Sequence, residues 1–337
     1  MFLSKRSNGL FYLWYKDKAG KRHKVSTGCK RISDTLKFLH SFTPPSAIPK
    51  SSILLSQFVQ QLPLYIGGII RKNTLNRIYF PALDMFLQVS GDRDLGAYTI
   101  KDVEHFKLRR LETCSPVTVN ISFRAIRSVF SHAVKMQLID ENPFQKSSQI
   151  KVPERLPVFL SKNEFIKLLS VVKEPELKDL YLFAVMTGLR LGEILNLQWN
   201  SIDMERRLIM LLNSEHFSTK SGKCHAIPMN DAVYEILSRR FLIRIASDYL
   251  FHRKGRQLQQ SYVSHKFKKY VRQLGLNEKL HFHSLRHTFA SWLVQDGVSL
   301  YEVQKLLGHS NISVTQVYAH LQPERLHSTV NRISFSL

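Results

Sequence analysis

Two short segments near the start of the chain are typical of β-strands. Residues 10–15 form an apolar and aromatic run, and residues 22–27, which are mostly basic and polar, follow as a second segment of the same length. Gly20 lies in the polar stretch between them, where a hairpin turn favours a flexible backbone. The pattern predicts a small β-rich domain over residues 1–42.

Helical patterns follow a linker rich in proline and serine at residues 43–52, and they extend over residues 53–144, with Asn142-Pro143 ending the last helix. In that helix, apolar residues recur at steps of three and four, which predicts one face packed on a core. This face consists of Val119, Phe123, Ile126, Phe130 and Ala133. A neighbouring polar and basic stripe consists of Asn120, Arg124, Arg127, Ser131 and Lys135. We expect a second, helical domain over residues 53–144.

A third domain is expected over residues 158–337, after a basic linker at residues 145–157. Helical patterns occur around residues 164–169 and 177–186, and strand-like patterns occur near 208–212 and 226–229. Helical patterns then continue to the C-terminus. The fold class predicted for the whole chain is mainly α with small β elements (α+β), and the third domain is mixed α/β.

The charge of the chain changes this picture, because 49 Lys and Arg stand against 26 Asp and Glu, giving a net charge of +23. Such an excess predicts a polyanionic partner. Nucleic acid is favoured, since each phosphate that Lys or Arg neutralises releases counterions. An anionic membrane is the alternative, but the sequence has no apolar stretch of the length that a membrane span needs and no signal-peptide pattern. We therefore expect a cytoplasmic, nucleoid-associated protein without a membrane segment.

Three cysteines, Cys29, Cys114 and Cys224, are widely spaced and form no Cys-x-x-Cys pair. They indicate neither a disulfide framework nor a thiolate zinc site, which fits a reducing compartment.

Two groups of basic residues are candidates for DNA contact. The predicted hairpin carries Lys21, Arg22 and Lys24, and a basic β-ribbon is one of the shapes that fits a DNA groove. The last helix of the second domain carries Arg124, Arg127 and Lys135 on its basic stripe. The alternative for both groups is an ordinary solvated surface.

Four segments of the third domain carry the candidate chemistry: residues 187–193, residues 219–223, residues 283–287, and residues 307–309 with Tyr318 nine positions further on. Taken singly, each has an ordinary structural explanation. His283 and His287 have the spacing of two zinc ligands on a helix, but Ser284 follows where a metalloprotease has its glutamate. The sequence also has neither a phosphate-binding loop nor a close acidic group for magnesium. No metal or cofactor is therefore expected.

Together, the four segments supply several cations and one phenol, a set that suits phosphoryl transfer without a metal ion. A phosphodiester concentrates negative charge on its non-bridging oxygens as it reacts, and guanidinium groups bind such oxygens in a bidentate manner. Arg190 and Arg286 fit this role.

The motifs in these segments resemble those of the tyrosine recombinase, or phage integrase, family. They are Thr-Gly-x-Arg-x-x-Glu at residues 187–193, a lysine in a predicted hairpin, His-x-x-Arg at 283–286, Leu-Gly-His at 307–309, and a tyrosine nine residues beyond. All occur in the family's order.

The resemblance implies a role for each matching residue. Arg190, Arg286 and His309 resemble the groups that bind the scissile phosphate, and Glu193 resembles a supporting acid that orients an active-site partner. Lys220 resembles the lysine that protonates the leaving 5′ oxygen, with Lys223 the less favoured choice. His283 resembles the general base or proton-handling residue, and Tyr318 resembles the nucleophile that forms a 3′-phosphotyrosyl intermediate.

The resemblance extends to the rest of the chain with less specific motifs. Residues 53–144 resemble the helical, SAM-like core-binding domain, and residues 1–42 resemble the N-terminal arm-type domain, which binds accessory arm sites or extends the core-site contacts. Near the C-terminus, Leu326, Val330, Ile333 and Leu337 form an apolar stripe. This stripe either docks on its own domain or enters a neighbouring protomer of a homotetramer on DNA, as the family does. DNA-bending accessory proteins are possible further partners.

The resemblance implies a site-specific recombinase that acts on double-stranded DNA without metal ion or ATP, for integration, excision or inversion of a mobile element. One alternative is an Xer-like enzyme that resolves chromosome dimers, against which the basic segment at residues 1–42 argues. A second is a relaxing activity like that of type IB topoisomerases, and a third, of another class, is a DNA-binding regulator that does not cleave.

Overall fold

Helices make up most of the described chain, with three small antiparallel sheets between them. The computed structural model describes residues 1–16, 20, 22–42, 53–153, 156–211, 225–242 and 247–322. Contacts divide the chain into two units, residues 1–153 and residues 154–337. The mainly α prediction with small β elements is confirmed, and the predicted division into three domains stays a prediction.

A three-stranded antiparallel sheet opens the first unit, in the order β1 (Phe2–Lys5), β2 (Phe11–Lys16) and β3 (Arg22–Ser26). The β2–β3 pair confirms the predicted hairpin strands, whereas β1 was not predicted. Helix α1 (Ile32–Ser41) follows and was not predicted either. Leu13 is paired between Leu3 and Val25 and is fully buried.

The rest of the first unit is helical. Its helices are α2 (Leu55–Ile66), α3 (Lys72–Thr74), α4 (Phe80–Ser90), α5 (Ile100–Leu111) and α6 (Pro116–Lys135), with a π-helical turn at Leu75–Tyr79. Phe86 of α4 lies at the centre of the core, where its ring contacts the rings of Phe106, Phe130 and Phe144. All five residues of the predicted apolar stripe on α6 are buried.

The second unit alternates helices with very short strands. Its helices are α7 (Lys162–Val171), α8 (Pro175–Thr187), α9 (Leu191–Leu195), α10 (Asp231–Leu242), α11 (Gln260–Gln273), α12 (Ser284–Gln295) and α13 (Leu300–Leu307). Strands β4 (Ile202–Asp203), β5 (Leu208–Leu211) and β6 (His225–Pro228) form one sheet, and β7 (His252–Arg253) pairs with β8 (Arg256–Gln257). Two of these, β5 and β6, correspond to the predicted strands.

Within the described residues, no helix combines the length and the apolar character that crossing a membrane requires.

Candidate active site

Gly188 ends α8 in the left-handed conformation, with φ of 65°, and thereby directs the chain toward Arg190. A Cβ atom at this position would lie 2.4 Å from a ring carbon of Phe289 on α12. A side chain is therefore excluded both by the backbone conformation and by the close approach of α12.

Glu193 fixes Arg190 through two contacts. Its carboxylate accepts a hydrogen bond from the Arg190 backbone nitrogen at 2.9 Å and another from Nη1 of the guanidinium at 2.8 Å. Glu193 is 6% exposed, so water competes little for the pair. The motif spacing thus places the guanidinium at the start of α9 in a defined orientation.

Arg286 connects the segments of the site. It lies in the first turn of α12 and is 3% exposed. Its Nη1 donates to the Gly188 carbonyl oxygen at 2.7 Å, and its Nη2 donates to the Leu307 carbonyl oxygen at 2.6 Å. Burial and then the charge of Arg190 lower its pKa to about 10, so the guanidinium stays protonated at neutral pH. Arg286 thereby ties the end of α8 and the end of α13 to α12.

His309 follows the end of α13, where Gly308 adopts the left-handed conformation that ends the helix. Its Nδ1 lies 2.9 Å from the Thr315 hydroxyl, and Thr315 is fully buried. Burial, followed by the charges of Arg286 and Arg190, lowers the pKa of the His309 imidazole to about 4. The ring is therefore neutral at physiological pH in the free protein.

Tyr318 lies in a 3-10 helix, Gln316–Leu321, and is 2% exposed. Its backbone nitrogen donates to the carbonyl oxygen of Thr315, the same residue that contacts His309. Burial raises the pKa of the phenol to about 12, although the charge of Arg286 acts in the opposite direction. The hydroxyl lies 2.6 Å from Nδ1 of His287.

His283 lies at the N-cap of α12 and is exposed. Its ring meets the ring of His287 edge to face, with 5.1 Å between centroids. Although the residue as a whole is exposed, burial of its ring, followed by the charges of His287 and Arg286, lowers its pKa well below the ordinary value. The histidine that contacts Tyr318 is thus His287, for which the sequence suggested no role. The sequence signal for it was its spacing of four from His283, which puts both on one helical face.

Lys220 and Lys223 lie outside the described residues. The paired strands β5 and β6 flank that part of the chain, with Leu211 opposite His225. Nε2 of His225 lies 3.1 Å from the Leu306 carbonyl oxygen, and its ring lies near the Gly308 position. The first described residue after the predicted lysines is therefore next to the loop that carries His309.

The predicted DNA-contact residues lie in the first unit. Arg124, Arg127 and Lys135 are exposed on α6, and Nη1 of Arg124 donates to the Gln149 side chain at 3.1 Å. Asn120 shares their stripe but is buried, where it exchanges hydrogen bonds with the backbone of Ile150. Part of this stripe is thus structural.

On the sheet, Arg22 and Lys24 of β3 are exposed. Nζ of Lys24 lies 4.2 Å from the centroid of the Tyr12 ring. Lys21, the third candidate in the hairpin, lies outside the described residues.

Known proteins share the fold of this chain. Residues 158–325 match the model of the phage integrase family. Tyrosine recombinase XerC of Bacillus subtilis (strain 168) is 30% identical over 262 residues, which is 73% of this chain and 84% of that protein. Among solved structures, the Tn1549 transposon integrase in complex with a circular intermediate DNA matches with a TM-score of 0.70 and 22% identity, covering 84% of this chain and 100% of that one. A lambda integrase dimer bound to a core site matches with a TM-score of 0.67 and 20% identity, covering 99% and 97%.

The chain therefore belongs to the phage integrase family, the tyrosine recombinases. It is a site-specific recombinase, an enzyme that cleaves and rejoins DNA strands.

Proposed function

We propose that Tyr318 attacks the scissile phosphate of DNA, while Arg190, Arg286 and His309 bind its non-bridging oxygens. The observation that carries this proposal is the position of Arg286, whose guanidinium donates to the carbonyl oxygens of Gly188 and Leu307. These two carbonyls lie two residues before Arg190 and two residues before His309. One buried cation thus holds together the segments that carry the other phosphate ligands.

The electrostatics of the site suit an anionic substrate. Arg190 lies close enough to Arg286 for its charge to lower the pKa of the Arg286 guanidinium. A phosphodiester relieves this repulsion, and its charge grows as the reaction proceeds. Nδ1 of His309 lies within hydrogen-bond distance of the Thr315 hydroxyl, and we assign the tautomer in which Nδ1 accepts from this hydroxyl and Nε2 carries the proton that is donated to a phosphate oxygen.

The phenol is a weak nucleophile in the resting protein. With a pKa of about 12, only a very small fraction of molecules carries a Tyr318 phenolate at neutral pH. The proton must therefore leave as the oxygen–phosphorus bond forms. Lys220 then protonates the 5′ oxygen as it leaves. The product is a 3′-phosphotyrosyl bond, and a different 5′ hydroxyl attacks it in the second step, so the exchange of strands consumes neither ATP nor a metal ion.

Integration, excision or inversion of a mobile element is the biological role that we propose. The lambda integrase alignment covers 99% of this chain, whereas the XerC alignment covers 73%. The N-terminal sheet is the feature that distinguishes this chain from a housekeeping recombinase, although the Xer-like alternative remains compatible with the catalytic segments.

The outer face of the N-terminal sheet supports DNA binding by residues 1–42. The pairing of the strands places Phe2, Trp14 and Lys24 side by side on this face, and Tyr12 lies next to Trp14. Phe2 stacks on Trp14, while Lys24 lies over Tyr12. The opposite face buries Leu13 and Tyr15. An exposed sheet face that carries both cations and aromatic rings fits a DNA groove, whether at arm sites or at the core site.

Assembly on DNA is the remaining part of the proposal. Both structural neighbours described above are integrases bound to DNA. We propose a homotetramer of this chain on double-stranded DNA in the cytoplasm, with DNA-bending accessory proteins as possible partners. The apolar stripe of Leu326, Val330, Ile333 and Leu337 lies outside the described residues, so its exchange between protomers stays a prediction.

Covalent trapping tests the proposed chemistry. DNA from the flanks of the gene is made into suicide substrates with a nick beside the candidate cleavage position, and adducts are separated on a denaturing gel. Wild type and Tyr301→Phe, a variant at an exposed tyrosine, should both form an adduct. Tyr318→Phe should bind the same DNA with unchanged affinity and form none. An adduct with Tyr318→Phe would refute the proposal, and tight binding by wild type without an adduct on any candidate site would favour the non-cleaving regulator.

A further inference from the structure

We propose that His287 is a catalytic residue of this recombinase, whose Nδ1 orients the Tyr318 hydroxyl and receives the phenolic proton during attack. The inference rests on the proposed function above, in which Tyr318 is the nucleophile. It assigns to His287 a step that the sequence motifs had left to His283.

The contact between the two side chains is direct. Nδ1 of His287 lies 2.6 Å from the Tyr318 hydroxyl, and 31 positions separate the two residues in the sequence. His287 is partly buried one position after Arg286 on α12, whereas Tyr318 is nearly fully buried. Since a phenol ring in a packed site keeps its position, the hydrogen bond fixes where the hydroxyl lone pairs point.

Both partners are neutral in the free protein. Burial holds the phenol in its protonated form, and burial, followed by the charges of His281 and Arg286, lowers the pKa of His287 to about 4. A neutral imidazole has one nitrogen without a proton, and a protonated phenol has one hydrogen to donate. We assign the phenol as the donor and Nδ1 as the acceptor, with the imidazole proton on Nε2, because this is the tautomer in which the phenolic proton can pass to His287.

The position of His283 supports this assignment. His283 contacts His287 ring to ring, and the centroids of His287 and Tyr318 lie 6.0 Å apart. His287 thus touches both residues to which the family resemblance gives a role in proton transfer or attack. Of the two histidines, it is His287 whose nitrogen is within hydrogen-bond distance of the Tyr318 oxygen.

The proton balance of the step is complete. The bond between the Tyr318 oxygen and phosphorus forms, the bond between phosphorus and the 5′ oxygen breaks, and the phenolic proton passes to Nδ1 of His287. Lys220 supplies the proton that the 5′ oxygen gains. In the second step, the incoming 5′ hydroxyl returns its proton to Lys220, and the His287 imidazolium returns its proton to the phenol.

Three substitutions of His287 separate orientation, proton transfer and mere packing. Asn carries a polar atom at the position of Nδ1, so it can accept a hydrogen bond, but it takes up no proton. Gln carries its amide one bond further out. Ala removes both the hydrogen bond and the proton acceptor. We expect His287→Ala to slow adduct formation on the suicide substrate by roughly 100-fold or more, as loss of a proton acceptor does. His287→Asn should recover about tenfold of this loss by restoring the hydrogen bond, and His287→Gln should recover little. DNA affinity and the thermal unfolding midpoint identify any variant that fails to fold.

A substrate with sulfur in place of the bridging 5′ oxygen shows whether a slow variant is impaired in protonating the leaving group or in activating the nucleophile. A thiolate leaves without a proton, because a thiol is far more acidic than an alcohol. Lys220→Ala should therefore regain most of its rate on this substrate, whereas His287→Ala should stay slow, since it acts on the nucleophile. Equal recovery of both variants would overturn the inference.

The inference would also be overturned if His287→Ala formed the adduct at or above the wild-type rate. The contact with His287 would then inhibit attack by Tyr318 or contribute only to packing. Failure of the proposed function is distinguishable, since in that case wild type itself forms no adduct and behaves like Tyr318→Phe.

Discussion

Nη1 of Arg286 lies 2.7 Å from the carbonyl oxygen of Gly188, although 98 positions separate the two residues in the sequence. A buried guanidinium needs compensating partners, and here two of its donors are satisfied by backbone carbonyls. Because carbonyl dipoles carry no net charge, the cation keeps its full charge for a phosphate.

Gly188→Ala should destabilise the second unit more than an ordinary glycine substitution does. The new Cβ atom would meet Phe289 at 2.4 Å in a left-handed backbone, so we expect a loss of about 2–4 kcal/mol in the free energy of unfolding. Gly275→Ala is the matched control, since Gly275 has φ of 61° and no atom within 4 Å of the added Cβ, and it should cost about 1 kcal/mol. Urea unfolding measures both, and equal losses would show that the approach of Phe289 is unimportant.

Arg286→Lys should impair both stability and catalysis. An ammonium group is a compact charge and does not reproduce the planar fork that reaches Gly188 and Leu307 while binding phosphate. We expect adduct formation to fall by roughly 100-fold or more and the free energy of unfolding by about 1–3 kcal/mol. Single-turnover trapping and urea unfolding give the two values. Wild-type rates in the variant would contradict the role of the guanidinium in holding the site together.

Stability should fall as the pH drops below neutral. His287 and His309 have pKa values of about 4 in the folded protein, below the ordinary 6.5. The unfolded chain therefore binds more protons between about pH 6.5 and pH 4, and the free energy of unfolding decreases through this window. At pH 5.0 the loss relative to pH 7.5 should be about 1–2 kcal/mol for each histidine, allowing for partial exposure.

Urea unfolding of His309→Asn at both pH values checks this prediction. The amide at position 309 keeps a polar partner for Thr315 but does not titrate, so the loss between pH 7.5 and 5.0 should be smaller than in wild type by the share of one histidine. If the loss were the same as in wild type, His309 would take up a proton as readily in the folded protein as in the unfolded chain.

Lys24→Ala should weaken DNA binding through the sheet face. If Lys24 contacts a phosphate, the slope of log affinity against log salt should become shallower by about 1, and affinity should fall at low salt. Lys37→Ala removes the same charge from an exposed position on α1 and should leave the slope nearly unchanged. Binding is measured by fluorescence anisotropy with DNA that contains candidate arm and core sites. The same slope in both variants would show that the face acts only through its long-range charge.

The pairing of Arg190 with Glu193 was predictable from sequence, because their motif has a fixed spacing. Residues 187–193 place Arg190 and Glu193 one helical turn apart, and the structure pairs them. The short strands β1, β4, β7 and β8 were not predicted, since two to four residues held by pairing leave little local pattern.

The contact between His287 and Tyr318 could not be predicted from the sequence. His287 has an obvious relation to His283, one turn before it, but its partner lies 31 positions away, on a 3-10 helix whose place depends on the packing of α12 and α13. Such a contact is set by tertiary packing and has no local pattern. Lys220 and the C-terminal stripe lie outside the described residues, so their roles stay predictions.

The most direct test of the central claim is to map the bond between protein and DNA in the trapped adduct. The reaction is run in excess EDTA on a nicked substrate, the adduct is digested with protease and nuclease, and the modified peptide is identified by mass spectrometry. The account predicts a nucleotide joined through its 3′ phosphate to Tyr318, formed at an undiminished rate in EDTA. An adduct at another residue, or one joined through a 5′ phosphate, would contradict it.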